Sequence, residues 1–178
     1  MTNEPREDFK RKIIAIHEAG HGVICYKLRY KFETITITQN LQTGSDGAFK
    51  RSIIEMPAEA KNMPFHDYVI DQIKITLSGG AAVHILAITD DAELYGMLPD
   101  CIQAFGLAKM VTKSEEEAKR LNNDLAFQAK ELVRDKKNWL AINCLAEELI
   151  KKGTVTYNEA KKVIENAFSA IDCAQAVN

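Results

Sequence analysis

The stretch "KIIAIHEAGHGVICYKL" (residues 12–28) has the apolar spacing of a helix, but its middle holds residues that a buried helix does not favour. A glycine inside a helix costs about 1 kcal/mol relative to alanine, and a buried polar side chain is stable only with a partner. The stretch nevertheless contains two glycines, two histidines and a glutamate: His17, Glu18, Gly20, His21 and Gly22. These residues must therefore meet a requirement other than the stability of the helix.

His17, Glu18 and His21 form the pattern H-E-x-x-H. Residues i and i+4 lie one turn apart on the same face of a helix, so both imidazoles can reach a single metal ion. Glu18 borders that face, where a general base for a metal-activated water is required. The pattern predicts a catalytic zinc site, with His17 and His21 as ligands and Glu18 as the base. The alternative, a pair of solvated histidines on a surface helix, is disfavoured by the apolar flanks.

A catalytic zinc site takes a third protein ligand and keeps its fourth position for water. The metzincin continuation of the motif would require glycine and histidine where this chain has Ile24 and Lys27, so that class is excluded. The residue pattern leaves His66, His84 or an aspartate as the third ligand.

The composition is typical of a globular protein of one domain. The 178 residues are 46% hydrophobic and 27% charged, and the formal net charge of −2 indicates neither a nucleic-acid partner nor an anionic membrane. The polar opening "MTNEPREDFKRK" does not resemble a secretory signal peptide, and no apolar run approaches the roughly 18 residues of a membrane span. Four scattered cysteines without a C-x-x-C pair are typical of reduced thiols. We therefore expect a cytoplasmic chain without a membrane span.

Hydrophobic periodicity predicts a mainly α-helical fold with one small β-sheet, an α+β class. The segment "ETITITQ" (33–39) alternates polar and β-branched residues, as a half-buried strand does. A second strand is predicted to return through Phe49 and Ile53. Long helices are predicted near residues 6–29, 66–88 and 99–112.

The C-terminal part is predicted to be helical. Asn138 is expected to cap a helix that ends at Gly153, and the last helix is expected to end near Ala170. Two pairs of residues have the spacing of a capping box: Ser114 with Glu117, and Thr156 with Glu159.

Five stretches occur in an order that is more specific than the metal motif alone. They are "AIHEAGHGVICYKL", "ETITIT", "LSGGAAVHI", "GMLPDCIQAFGLAKMV" and "LAEELIKKGTVTYNEAKKVI". Together they make residues 10–168 similar to the peptidase domain of the FtsH family of ATP-dependent, membrane-anchored zinc proteases. The resemblance implies a helical zinc-peptidase domain with Zn²⁺ as its cofactor. We interpret residues 1–178 as a single peptidase-like domain, with a zinc-site core and small sheet in 1–112, a helical part in 113–170 and a tail in 171–178.

The resemblance also implies the third zinc ligand. In the family it is the aspartate of a G-A-x-x-D segment, a position that Asp100 occupies here. The alternative interpretation is a carboxylate at a helix N-terminus, since Asp100 follows Pro99 at an expected helix start. His84 is the main rival, and three acidic residues of the preceding connector also compete: Asp90, Asp91 and Glu93.

The chain departs from the family where the family has G-R-A-A-E-E. Residues 79–84 read "GGAAVH", so the arginine and both acidic residues are missing, and the support they give to the site is in question. Neither a P-loop nor a membrane helix occurs in the sequence. We interpret the chain as the peptidase part alone, working independently of ATP or with a separate ATPase as unfoldase.

These features predict a zinc metalloendopeptidase that hydrolyses flexible or unfolded polypeptides. The strand at 34–38 or the returning strand is expected to offer an edge to an extended substrate, with four contact residues: Ile35, Ile37, Gly47 and Phe49. The alternatives are a non-enzymatic regulatory module that retains the metal and hydrolysis of a non-peptide bond. A homo-oligomer is compatible with the sequence. Gly20 and Gly22 are expected to pack against a second helix through its small residues, Ser78 to Ala82.

Overall fold

The computed structural model describes residues 4–38, 48–50, 63–86 and 97–176. These residues form mostly helices, with three short strands, so the predicted class of mainly α with a small β-sheet is confirmed. In chain order the elements are α1 (Glu4–Lys27), β1 (Thr34–Thr36), β2 (Ala48–Lys50), α2 (Phe65–Leu86), α3 (Met97–Val111), α4 (Glu115–Arg134), α5 (Lys136–Lys152), β3 (Thr154–Thr156) and α6 (Tyr157–Ala176). In the described part of the chain, no helix has the length and apolar character needed to cross a bilayer.

Helix α1 is the centre of the fold. It packs mainly against α2 on one side and against α5 on the other. Its Ile16, Val23 and Ile24 are fully buried, as are Ile142 and Leu145 of α5. Burying an isoleucine or leucine side chain stabilises a fold by about 1.5–3 kcal/mol, so the apolar part of the opening stretch holds these helices together.

The crossing of α1 and α2 depends on a missing side chain. A Cβ at Gly20 would lie 2.7 Å from the Ser78 carbonyl oxygen and 3.0 Å from Cβ of Ala82. The Ser78 hydroxyl is also 3.1 Å from the Gly20 carbonyl oxygen, to which it can donate. The expected packing of Gly20 against small residues of the second helix is confirmed. Gly22 differs, because its nearest neighbour is the Ile35 side chain of β1.

The sheet corrects one expectation about the substrate. Its order is β2-β1-β3, with antiparallel pairing throughout, and Ile35 of β1 pairs with Phe49 on one side and Val155 on the other. Strand β1 therefore has no free edge, so of the two strands expected to offer one, the strand at 34–38 does not, and substrate contacts of Ile35 and Ile37 stay a prediction. Ile35 is fully buried, and the Ile37 N–H donates to the Gly153 carbonyl. Within the described sheet β2 and β3 are the outer strands, whereas Gly47 and Ile53 lie outside the described residues.

Helix boundaries in the C-terminal part follow the capping signals in most places. The Ser114 hydroxyl accepts the Glu117 N–H, and the Glu159 carboxylate accepts the Thr156 N–H, so both predicted caps are confirmed. Gly153 ends α5 with a φ of 78°, as expected.

Two boundaries and one strand differ from the prediction. Asp135, not Asn138, caps α5, because its carboxylate accepts two N–H groups of the first turn. Asn138 is instead buried and donates to the Leu132 carbonyl. Helix α6 continues to Ala176, into the stretch predicted as a tail, and β3 was not anticipated at all. The division of the single domain near residue 112 stays a prediction.

Replacing Gly20 with alanine should overpack the crossing, because the carbonyl of Ser78 belongs to a helix backbone and cannot turn aside. We expect the free energy of unfolding to fall by about 1–3 kcal/mol in urea denaturation. Gly106→Ala is the matched control, since no atom lies within 4 Å of its Cβ position on α3. That change should leave stability unchanged or raise it by about 0.4–1 kcal/mol. Equal effects of the two substitutions would contradict a close crossing at Gly20.

Candidate metal centre

His17 and His21 lie on the buried face of α1, one turn apart. Their side chains are almost inaccessible, with exposed fractions of 6% and 5%. The two Nε2 atoms are 3.1 Å apart. The i, i+4 spacing thus has the consequence expected from the sequence, since both imidazoles direct the same ring nitrogen to one point.

Asp100 reaches this point from α3. It lies in the first helical turn, where the helix dipole favours a carboxylate. Its Oδ2 is 3.1 Å from Nε2 of His17 and 3.1 Å from Nε2 of His21. Ala104 and Ala108 continue the same face of α3 and are buried in a cluster with residues of α2 and α4. Packing of α3 on α2 therefore places Asp100 beside residues that precede it by about 80 positions.

Three potential ligand atoms form a triangle with sides of 3.1 Å. Tetrahedral zinc with bonds of about 2.0–2.1 Å would separate its ligand atoms by roughly 3.3 Å, so the triangle fits such an ion closely. Among the described residues this is the one group of three or more metal-ligating side chains that converges in this way.

A hydrogen bond to the backbone of α2 determines which ring nitrogen of His21 is available to bind a metal ion. The Nδ1 atom is 2.8 Å from the Ile75 carbonyl oxygen, which can only accept, so Nδ1 carries the proton. In the neutral ring Nε2 is then an acceptor that faces Asp100 Oδ2, which is itself buried and has no hydrogen-bond donor among the described residues. Two facing acceptors need a shared cation or proton, and the donor set of two imidazoles and a carboxylate suits Zn²⁺.

Electrostatics within the cluster favour an ionised Asp100. Burial opposes ionisation of the carboxyl group, but hydrogen bonds and positive charge from His17 and His21, when these rings are protonated, outweigh it and lower the pKa of Asp100. A negative ligand here would compensate part of the charge of a divalent ion.

Glu18 is buried beside the two histidines, with an exposed fraction of 7%. Burial raises its pKa to about 7, the neighbouring His17 lowers it, and the charge of Asp100 raises it further. Its Oε2 has no hydrogen-bond partner within the described residues. A cation in the triangle would lower this pKa again. With a cation present Glu18 would be ionised at neutral pH, and its position beside the candidate ligands would then suit it to accept a proton.

Helix α2 and the sheet support the ring of His21 from two sides. The Ser78 hydroxyl donates to the same Ile75 carbonyl at 2.6 Å. The Phe49 ring of β2 stacks on the imidazole, with 5.5 Å between the centroids. Phe49 was predicted to contact substrate, a role that stays a prediction, and its contact with a candidate ligand was not anticipated. A backbone carbonyl such as that of Ile75 has no signature in a sequence.

Gly80, Val83 and His84 stand where the FtsH pattern has an arginine and two acidic residues, and the first two are buried as uncharged residues of α2. Val83 is fully buried in a small cluster with Ile13, and Gly80 is buried within α2. His84 is exposed, so it does not join the cluster. His66 is also exposed and lies 3.2 Å from Asp67. The three acidic rivals in the connector lie outside the described residues: Asp90, Asp91 and Glu93.

Comparison with known proteins indicates a distant relation to zinc proteases. No family model matches the chain. Two proteins of Phytoplasma mali (strain AT), described as ATP-dependent zinc metalloprotease FtsH 3 and FtsH 1, are each 27% identical to it over 177 residues. The alignments cover 88% of this chain but 28% of each relative, so the chain spans less than a third of their length. The chain is thus weakly similar to two FtsH proteins over a part of their length.

The role of Asp100 can be tested by removing its carboxylate. Asp100→Ala should weaken zinc binding by at least about tenfold, because two ligands from one helix remain and the third is lost. Asp90→Ala, Asp91→Ala and Glu93→Ala serve as controls and should bind zinc as the wild type does. Zinc affinity would be measured by competition with a chromophoric chelator. Unchanged affinity in Asp100→Ala, or a loss in a connector variant, would move the third ligand elsewhere.

Proposed function

We propose that the protein is a zinc metallopeptidase that hydrolyses peptide bonds in flexible or unfolded polypeptides. In this proposal His17, His21 and Asp100 are the protein ligands of Zn²⁺, and Glu18 is the catalytic base. One observation carries it: three acceptor atoms converge within 3.1 Å of one another beside a buried carboxyl group, whose Oε2 has no hydrogen-bond partner in the described residues. The distant similarity to FtsH zinc metalloproteases supports the same reaction.

The residues of the chain divide the work of hydrolysis. When bound, Zn²⁺ supplies a Lewis acid that acidifies water and polarises the carbonyl group of the substrate. Glu18 accepts the proton of the attacking water on its carboxylate and returns it to the leaving amine. The Ile75 carbonyl keeps the proton of His21 on Nδ1, so that Nε2 stays available as a ligand. Burial of the histidines and Glu18 limits access of bulk water to these groups.

Strand β2 is the part of the sheet suited to bind an extended peptide. It is one of the two outer strands of the described sheet, β3 being the other, and main-chain hydrogen bonds to an outer strand bind peptides with little dependence on sequence. Phe49 of β2 contacts His21, so a strand added beside β2 lies next to the proposed ligands. Flexible segments can adopt this extended form unaided, whereas a folded substrate needs a separate unfolding ATPase.

A second function is a binding or regulatory module that keeps the metal only for structure. Structural zinc sites are usually closed by four protein ligands, and they have no use for a base. The described residues bring three ligand groups together, and Glu18 is buried beside them although its Oε2 has no hydrogen-bond partner there. This arrangement favours the enzyme over the module.

Glu18→Gln separates catalysis from metal binding, because an amide cannot accept the proton of water. We expect zinc affinity close to that of the wild type and a fall in kcat of at least about 10²-fold on a fluorogenic peptide library. Glu116→Gln on the exposed face of α4 is the control and should leave both values unchanged. A wild type that binds zinc but cleaves no peptide would favour the binding module, and full activity in Glu18→Gln would exclude Glu18 as the base.

A further inference from the structure

We propose that Gly79 is a positioning residue of the metal centre, required for ligand placement and not for the fold. The proposal rests on the zinc site of the proposed function. Gly79 is buried on α2. A Cβ at this position would lie 2.9 Å from Nε2 of His17 and closer still to Nε2 of His21. These are the two nitrogen atoms that converge with Oδ2 of Asp100.

The obstacles at Gly79 differ in kind from those at Gly20. At Gly20 an added Cβ meets the carbonyl oxygen of Ser78, which can move only if the whole helix moves. At Gly79 it meets the far ends of two histidine side chains, which can rotate about their own bonds. Both glycines belong to the same crossing, yet the first protects the packing of the helices and the second protects the position of the imidazoles.

Helix α2 is held in place, so the rings are the part that gives way. Withdrawal of α2 would stretch the hydrogen bond from His21 to the Ile75 carbonyl, which is 2.8 Å long. It would also stretch the contact of 3.1 Å between the Ser78 hydroxyl and the Gly20 carbonyl. Rotation of the imidazoles keeps the helices in contact, but it moves Nδ1 of His21 away from the Ile75 carbonyl and opens the triangle of ligand atoms, in which each side is 3.1 Å.

Three alanine substitutions test whether Gly20 maintains the helix packing while Gly79 maintains the positions of the imidazoles. The variants are Gly79→Ala, Gly20→Ala and Gly106→Ala, the last at a position with open space around its Cβ. Each metal-free protein would be unfolded in urea, and zinc affinity would be measured by chelator competition. The visible absorption of the Co²⁺-loaded proteins would report the coordination geometry independently of activity.

We expect Gly79→Ala to weaken zinc binding by about 10- to 100-fold and to reduce the tetrahedral Co²⁺ absorption, the size of effect typical of groups that orient metal ligands. Its urea midpoint should fall by less than that of Gly20→Ala, because the helix backbones keep their places while alanine favours a helix and only the ring contact of His21 is lost. Gly20→Ala should lower the midpoint.

Two results would overturn the inference while leaving the proposed function intact. One is wild-type zinc affinity in Gly79→Ala. The other is a loss of stability in Gly79→Ala as large as that in Gly20→Ala, which would make Gly79 a packing residue. A wild-type protein that binds no zinc would overturn the proposed function itself, and the role of Gly79 with it.

Discussion

The close crossing of α1 and α2 is the constraint on which the rest of the structure depends. Gly20 lets the two helix backbones approach until the Ser78 carbonyl lies where a Cβ would be. At this distance the Ile75 carbonyl can accept the Nδ1 proton of His21, and the backbone of Gly79 can lie against both imidazoles. A crossing wider by one methyl group would lose these contacts together. Gly20 and Gly79 lower the helix propensity of α1 and α2. In return, the close crossing holds the two imidazoles and the Ile75 carbonyl in a pre-formed arrangement.

The same crossing brings ionisable side chains together in a buried region, where their charged forms are unfavourable. Two imidazoles and two carboxyl groups lie in a region otherwise lined by isoleucine, valine and alanine. The charge of Asp100 contributes to the raised pKa of Glu18, a sign that the two carboxyl groups disfavour each other's ionisation. A divalent cation at the triangle would relieve this repulsion and occupy the facing acceptors. Metal binding would then add to the stability of the fold, because the unfolded chain lacks the site.

The small sheet joins the two ends of the chain to this centre. Phe49, Ile35 and Val155 pair across the three strands, so they form one row on one face of the sheet. Ile35 packs against α1 at Gly22, and Phe49 stacks on His21. Strand β3 comes from more than 100 residues further along the chain and pairs with β1, so it completes the sheet whose other outer strand contacts His21. Any strand that binds beside β2 would add to this sheet next to the histidines.

Local patterns in the sequence determined the helices, most of their caps and the pair His17 and His21. Such features depend on residues within a few positions of one another, where helix geometry is known in advance. The same reasoning explains why Glu18 could be assigned a place beside the metal face. Asp100 was different, because spacing alone left several candidates and only the resemblance to a family singled it out.

Tertiary structure decided what depends on distant segments. The sequence left the first or the returning strand as the edge, and pairing of β1 with β3 rules out the first. This pairing was not foreseen because a three-residue strand beside a capping box carries no strand signal of its own. The Ile75 carbonyl that orients His21 is a backbone group, identical in every residue. Gly79 looks like any small residue at a helix crossing until the packing of α2 on α1 brings it against two ligand atoms. Sequence periodicity specifies which face of a helix is buried, but the partner atom that each buried group meets is set only when the helices pack.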